Sequence, residues 1–380
     1  MAGSTAGAKA TVAVLGSGSW GTALAVHLAR TGHRTLLWGI ETEELDAMVR
    51  DRVNRRYLPG VELPPAVEIE HDFGRAVAAA QQLLLVVPSH AFREVLERLK
   101  PVLRSEQKVA WATKGFELDT GKLPNQVARE VLGAGVPTAV LSGPTFAKEV
   151  GDGLPTAMTV ASDDEPYALE LARSISSVSF RAYASSDMTG VEVGGATKNV
   201  LAIGAGISDG LGYGANTRVA LITRGLAEMM RLGVALGADK DTFMGLAGLG
   251  DLVLTCTDNQ SRNRRMGLAL AAGKTSEQAA REIGQVVEGV LAAKAVREVA
   301  RRVGVDMPIA EQIYRVLYEG LAPKDAVAAL MLRTVKAETD FPNNPEVLFI
   351  SADVLESRGK LSLAAKKFEA VKNKDPKYLE

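Results

Sequence analysis

The chain predicts an α/β fold in which a doubly wound parallel sheet precedes an all-helical domain. Three observations carry that expectation. Short apolar runs rich in β-branched residues alternate with helical stretches up to about residue 185. A glycine turn, GSGSWG (Gly16–Gly21), joins the first run to the first helix. Beyond about residue 188 the strand-like runs stop and helical patterns continue alone. Strands alternating with helices are the signature of a parallel sheet covered by crossover helices.

The elements follow in order. TVAVLG (Thr11–Gly16) is short and almost wholly apolar, as a buried parallel strand is. SWGTALAVHLARTG (Ser19–Gly32) reads as a helix stopped by Gly32. TLLW (Thr35–Trp38) is a second strand. LLLVVP (Leu83–Pro88), KVAWAT (Lys108–Thr113), PTAVLSG (Pro137–Gly143), MTVAS (Met158–Ser162) and VSFRAYAS (Val178–Ser185) continue the series. Helices are expected over Glu192–Gly210, Thr217–Leu236, Lys240–Leu246, Ser276–Ile283, Gly289–Val303 and Ile309–Glu319. A length of 380 residues suits two domains and an appendage. We divide them as a sheet domain over 1–188, a helical domain over 189–340 and an extension over 341–380. In the extension Ala352, Gly359, Ala364, Phe368, Asp375 and Pro376 fall at the offsets of one tetratricopeptide-type repeat of about 34 residues. A plain helical hairpin is the alternative. A lone repeat leaves an apolar face uncovered, so the extension is expected to dock on the chain's own body, on a second copy or on another protein.

Composition narrows the function. Hydrophobic residues make up 47% and charged residues 23% of the chain, as in a globular protein with a sizeable core. A formal net charge of −1 gives no sign of nucleic-acid or membrane-surface binding. One cysteine, Cys256, excludes an internal disulfide and suits a reducing cytoplasm. The N-terminal MAGSTAGAK lacks the pattern of a signal peptide, and no apolar run approaches the ~20 residues of a membrane span. None of the four histidines forms a pair with metal-ligand spacing, so no metal site is expected.

The glycine turn fits G-x-G-x-x-G between a strand and a helix. Gly16 permits the tight turn, Gly18 a close approach of backbone to a pyrophosphate, and Gly21 close packing of helix on strand. The turn, with Ser19 and Trp20, then holds the anion at the helix N-terminus. For NAD, an acid about 20 residues on receives the ribose; Glu41 stands near that distance. The strand itself ends before Gly39, which repels no 2′-phosphate, and Arg55 and Arg56 are near enough in sequence to meet one. The cofactor is therefore NAD or NADP, with NADP favoured; a solvated loop is the other reading of both arginines. Lys198, in GGATKNV (Gly194–Val200), is the second chemical signal. Histidine is scarce here, so a lysine in a small-residue helix is the candidate proton acceptor of an oxidoreductase with an anionic substrate.

Further strings share one direction: WATKGFE (Trp111–Glu117), SGPTFAKEV (Ser142–Val150), GGATKN (Gly194–Asn199), GLAGLGDLVLTCT (Gly245–Thr257), SRN (Ser261–Asn263) and GQVVEGV (Gly284–Val290). With GSGSWGTALA they closely resemble the bacterial NAD(P)-dependent sn-glycerol-3-phosphate dehydrogenases. The resemblance covers about residues 8–338 and not the extension. It implies a Rossmann-type domain followed by a helical domain of the 6-phosphogluconate-dehydrogenase C-terminal type, with the active site in the cleft between them. The implied reaction is reversible reduction of dihydroxyacetone phosphate to sn-glycerol 3-phosphate, which supplies phospholipid synthesis.

The resemblance also implies roles. Lys198 matches the general base, and desolvation with a neighbouring cation, Lys114, would lower its pKa. The small residues Gly194, Gly195 and Ala196 would let cofactor or substrate come close. Lys114 would touch both cofactor and substrate; a strand-end surface lysine is its plain alternative. Asp251 joins the base in the active-site network; the glycine-rich GLAGLG before it reads as a tight loop aiming the carboxylate, with a helix N-cap as the alternative or an added role. Thr255, one helical turn on, would hydrogen-bond the substrate. Arg262 would clamp phosphate, cofactor or both, with Ser261 and Asn263 as added donors. Arg264 and Arg265 read as a solvated basic run. Asn199 stands beside the base. Gly143, Thr145 and Ala147 would pass under the nicotinamide and substrate, and Val286 and Glu288 would lie near the cofactor. Two rivals remain: a nucleotide-sensing scaffold using its tail, and a related hydroxyacid or 6-phosphogluconate-type dehydrogenase. A homodimer is an open assembly.

Overall fold

The structure, a computed structural model, describes residues 9–331, residue 356 and residues 361–374. The chain divides into two compact units, Met1–Lys324 and Asp325–Glu380. The first begins with β1 (Val12–Leu15), α1 (Ser19–Arg30), β2 (Thr35–Trp38), α2 (Thr42–Asp51), β3 (Val67–Glu70), α3 (Phe73–Ala79), β4 (Gln82–Leu85) and α4 (Ser89–Leu99). It continues with β5 (Lys108–Trp111), α5 (Pro124–Leu132), β6 (Thr138–Ser142), α6 (Ala147–Asp152), β7 (Thr156–Ala161), α7 (Glu165–Ile175) and β8 (Phe180–Ser185). Helices α8 (Met188–Gly210), α9 (Ala215–Ala235), α10 (Asp251–Thr257), α11 (Arg262–Ala271), α12 (Ser276–Ile283), α13 (Glu288–Arg302) and α14 (Pro308–Tyr318) follow. Helix α15 (Pro323–Met331) spans the boundary, and α16 (Leu361–Lys374) lies in the second unit, with Ala364 and Val371 buried. The first half of the expected helical hairpin, and four of the six repeat positions (Ala352, Gly359, Asp375 and Pro376), lie outside the described residues.

The sheet has eight strands in the order β3-β2-β1-β4-β5-β6-β7-β8. The order reverses between β1 and β4, which opens a crevice outside their carboxyl ends. Side chains alternate between two cores. Val12 and Val14 join Leu24, Leu28, Leu171 and Ile175 on the face covered by α1 and α7. Ala13 and Leu15 join Phe92, Leu96 and Val127 on the face covered by α4 and α5. With both faces covered, VAVL must be apolar throughout.

Three expectations need correction. The sheet is not wholly parallel, because β6 and β7 run antiparallel. The short helix α6 and its flanking loops make the connection between them. Strand β3 escaped the sequence reading because VEIE is an edge strand with alternating glutamates, one of which, Glu68, pairs with Arg34 at 2.8 Å. The helix expected over Lys240–Leu246 is a 3₁₀ turn, Lys240–Met244, that gives way after Gly245 to a π-helical turn, Leu246–Gly250.

Helix α8 is the axis of the helical half. Its 23 residues are almost all buried, as expected for a helix apolar on every side. Its buried polar residues are Glu192, Thr197, Lys198, Asn199 and Ser208.

Candidate active site

The carboxyl ends of the strands form one wall of a cleft of about 660 Å³. Gly16 turns with φ +130°, and a β-carbon there would come within 2.3 Å of the Val86 carbonyl oxygen. Gly21 packs even closer, where a β-carbon would meet the Gly16 oxygen at 1.8 Å. Gly18 differs: nothing lies within 4 Å of the position its β-carbon would take. It is the N-cap of α1 and offers no side chain to the first-turn N–H groups. Those free donors and that open space suit a pyrophosphate. Asn54 braces the turn from behind, its amide donating to the Ser17 carbonyl and to Thr22 Oγ1, each at 2.8 Å.

Lys114 follows β5 and Thr145 follows β6, so both reach the cleft from strand ends, as do Ser19, Trp20 and Ala147. The opposite wall is helical: Lys198 and Asn199 from α8, Asp251 and Thr255 from α10, Ser261, Arg262 and Asn263 at the start of α11, and Glu288 opening α13.

The two walls meet at Asp251, which is 1% exposed. One carboxylate oxygen, Oδ1, accepts from Lys198 Nζ. The other accepts from Lys114 Nζ at 2.9 Å. Lys198 also donates to Thr255 Oγ1 at 3.0 Å, and that hydroxyl donates to the Asp251 carbonyl at 2.6 Å. Burial holds the Lys198 ammonium below its ordinary value, to about 8; Asp251 opposes that shift and Lys114 reinforces it. Desolvation therefore outweighs the carboxylate, which the sequence left open.

Polar bonds brace the helical wall behind these groups. Asn199 donates to Glu288 Oε2 at 3.1 Å and accepts from Asn263 Nδ2 at 2.9 Å. Asn263 Oδ1 in turn accepts from the Gly289 N–H at 2.8 Å, near the N-terminus of α13. Asn263 thus ties three helices together, with one amide hydrogen left over. Ser261 caps α11 by accepting from the Arg264 N–H at 3.2 Å, which leaves its own hydroxyl proton for an acceptor in the cleft. Arg262 reaches Gln285 Oε1 only at 3.5 Å, so its guanidinium retains most of its donors.

Several sequence expectations change. Asp251 is not aimed by a tight loop and is not an N-cap; it begins α10 directly after the π-helical turn. Gly194 makes room for that turn, since a β-carbon there would lie 2.5 Å from the Ala247 oxygen. Gly195 faces Ser142 and Lys114. Gly194 and Gly195 thus make room for the protein's own groups. Arg264 is buried, with Nε on the Cys256 carbonyl at 3.1 Å and NH2 on Asp209 at 2.6 Å, whereas Arg265 is exposed at the cleft. Thr255 is bound within the lysine–aspartate cluster. Gly16, Gly18, Gly21 and Gly143 shape the loops at the strand ends. Val286 is half exposed. Glu41 accepts from Arg56 at 2.9 Å and from the Tyr57 hydroxyl at 3.0 Å, and Arg55 pairs with Asp51 at 2.8 Å. Tyr57, Gln285 and Lys148 line the cleft without having been singled out, because nothing local in their sequence marks them.

A glycine turn at the switch point of the sheet, facing a helical wall across a cleft, defines the class: an NAD(P)-dependent oxidoreductase built on a Rossmann-type domain. The comparisons with known proteins specify it. Residues 11–168 match the model of the NAD-dependent glycerol-3-phosphate dehydrogenase N-terminus, and residues 187–328 that of its C-terminus. The chain is 58% identical over 328 residues to a glycerol-3-phosphate dehydrogenase (NAD(P)+) of Aeromonas salmonicida, covering 86% of this chain and 98% of that protein. It is 55% identical over 331 residues to the protein of that name from Escherichia coli O1:K1 / APEC, with 87% and 98% covered. The crystal structure of glycerol-3-phosphate dehydrogenase from Coxiella burnetii superposes with a TM-score of 0.84 at 46% identity, covering 86% of this chain and all of that one. The chain belongs to the NAD(P)-dependent glycerol-3-phosphate dehydrogenase family.

Proposed function

We propose that the protein interconverts dihydroxyacetone phosphate and sn-glycerol 3-phosphate with Lys198 as the acid–base group. The observation that carries this reading is the sharing of Asp251 by Lys198 and Lys114 across the cleft. When bound, the nicotinamide cofactor supplies or takes up the hydride. In the reductive direction the Lys198 ammonium gives its proton to the carbonyl oxygen that becomes the hydroxyl. In the oxidative direction the neutral amine takes that proton back. Lys114 adds positive charge where the oxygen becomes negative. Its ion pair with Asp251 keeps it near Lys198, while Thr255 fixes the direction of the Lys198 amine.

The substrate phosphate belongs at the start of α11. The helix N-terminus, the Ser261 hydroxyl, the spare amide hydrogen of Asn263 and the Arg262 guanidinium converge there on the cleft. The pyrophosphate of the cofactor belongs at Gly18, and Glu288, Ala147 and Trp20 line its way across. For the adenosine end we favour NADP over NAD. Glu41 is engaged by Arg56 and Tyr57, so its charge is neutralised there and opposes a 2′-phosphate little. The product would feed phospholipid synthesis in the cytoplasm. We keep the division into a cofactor domain (1–188), a substrate domain (189–340) and an extension (341–380), the last free to dock on the body, on a second copy or on another protein. Loss of NADPH or NADH absorbance on addition of dihydroxyacetone phosphate tests the reading. Unchanged absorbance with both cofactors refutes it.

A further inference from the structure

Glu192 is a carboxyl group in the interior with no cation bonded to it among the described residues. It sits on α8, six residues before Lys198, about 9 Å along the helix axis and on another face. Its Oε1 accepts from the indole Nε1 of Trp111 at 2.8 Å. The Asn125 N–H, in the first turn of α5, donates to both oxygens, at 3.0 and 3.2 Å. Trp111 is itself fully buried, and it ends β5, three residues before Lys114. The group therefore joins the strand that carries one lysine, the helix that carries the other, and the N-terminus of a third element. The cleft does not include it. A buried acid costs several kcal/mol that a leucine would not, so its place in an otherwise apolar contact between helix and sheet calls for a role.

We propose that Glu192 is a positioning residue, a polar pin that sets the register of α8 against β5 and so brings Lys198 and Lys114 to the two oxygens of Asp251. The glycines of α8 already pack closely on their neighbours, and hydrogen bonds from an indole and a helix N-terminus add direction to that packing on the face turned to β5. The acid–base reading of Lys198 underlies this proposal. Burial pushes the Glu192 carboxyl up to about 8 against the pull of its donors, so at neutral pH the group resembles a carboxamide in charge and shape.

That likeness supplies the test, made on the full chain with steady-state kinetics and thermal melts. Glu192→Gln should keep kcat within about threefold. Glu192→Leu, which fills the space without accepting a bond, should lower kcat by roughly tenfold to a hundredfold, the range for misplacing a reacting group by an ångström. The KM for NADPH should stay unchanged, and the pH midpoint of kcat should move. Trp111→Phe, which removes one donor and retains the ring packing, should lower kcat in the same sense and serves if the leucine variant does not fold. Variants whose Tm falls while kcat and pH profile match the parent overturn the pin and leave a merely structural acid. Lys198→Ala, measured in parallel, separates the two readings: full turnover in that variant refutes the acid–base role itself, whatever Glu192 does.

Discussion

The two walls of the cleft are built from different materials. The sheet wall offers backbone: the N–H groups at the start of α1, a turn fixed by Gly16 and Gly21, and a space kept open at Gly18. The helical wall offers side-chain charge: Lys198 and Asp251 buried together, Thr255 bonded to both, Asn199 tied to Glu288 and Asn263 beside them, Arg262 at the rim. Backbone donors bind an anion with little cost in ordering and no titration. Buried side chains titrate, and their positions depend on packing many residues away. Binding is thus expected to fail gradually when the sheet wall is altered, and chemistry to fail abruptly when the helical wall is.

The largest effect is expected at Lys198. Lys198→Ala should lower kcat by at least ~100-fold, the contribution of an acid–base group, while NADPH still binds. Fluorescence titration of NADPH beside turnover tests the separation; a parallel loss of binding would merge the two walls. The pH dependence has a definite sign. Because burial lowers Lys198 to about 8, the ammonium that reduction needs is depleted as pH rises through that value. Reduction should fall above pH 8 and oxidation should rise, in opposite directions across one midpoint. A common direction for both reactions would exclude Lys198 as the titrating group.

Next in size is Arg262→Ala. Losing a charge-assisted pair of about 1.5–3 kcal/mol should raise the KM for dihydroxyacetone phosphate roughly 10- to 100-fold. Dihydroxyacetone, which lacks the phosphate, should be reduced as poorly by the variant as by the parent. An equal loss with both substrates would take Arg262 away from the phosphate.

Gly18→Ala probes the sheet wall more gently. Gly18 has φ −68°, which any residue adopts, and open space around it, so the fold should hold and Tm should stay within a degree or two. The methyl group enters the space proposed for the pyrophosphate, so KM for the cofactor should rise while kcat at saturation changes little. Gly21→Ala, whose β-carbon would overlap the Gly16 oxygen, should instead lower Tm. If the two variants behave alike, the open space at Gly18 is not where the cofactor lies.

The same contrast explains what was legible in the sequence. The glycine turn is local, its roles are written within six consecutive residues, and strand runs such as VAVL declare a sheet covered on both faces. Lys198 was legible as an odd residue, but its meeting with Asp251 was legible only through the family resemblance, because 53 residues separate them and α8 must first pack on α10. The π-helical turn before Asp251 looked like a loop because its glycines weaken any helical signal. Arg264 looked solvated because a basic run hides which member turns inward to Asp209. Glu192 had no signal at all: an acid in a helix is ordinary until its neighbours prove to be an indole and a helix N-terminus.

The smallest effect separates the cofactors at the far end of the sheet wall. Glu41 and Arg56 form an exposed pair at 2.9 Å, with Glu44 at 3.3 Å from the same guanidinium nitrogen and the Arg56 guanidinium over the Tyr57 ring. In that state the acid is neutralised and discriminates little against a 2′-phosphate. Arg56→Ala removes the cation and frees Glu41, which can then accept a ribose hydroxyl but repels a phosphate. The ratio of KM for NADPH to KM for NADH should therefore rise a few-fold, with most of the change on NADPH, because an exposed, screened contact contributes little beyond about 1 kcal/mol. The shift should shrink at high salt. A ratio that does not move would mean that the adenosine end is read elsewhere on this wall and that the Glu41–Arg56 pair takes no part in choosing the cofactor.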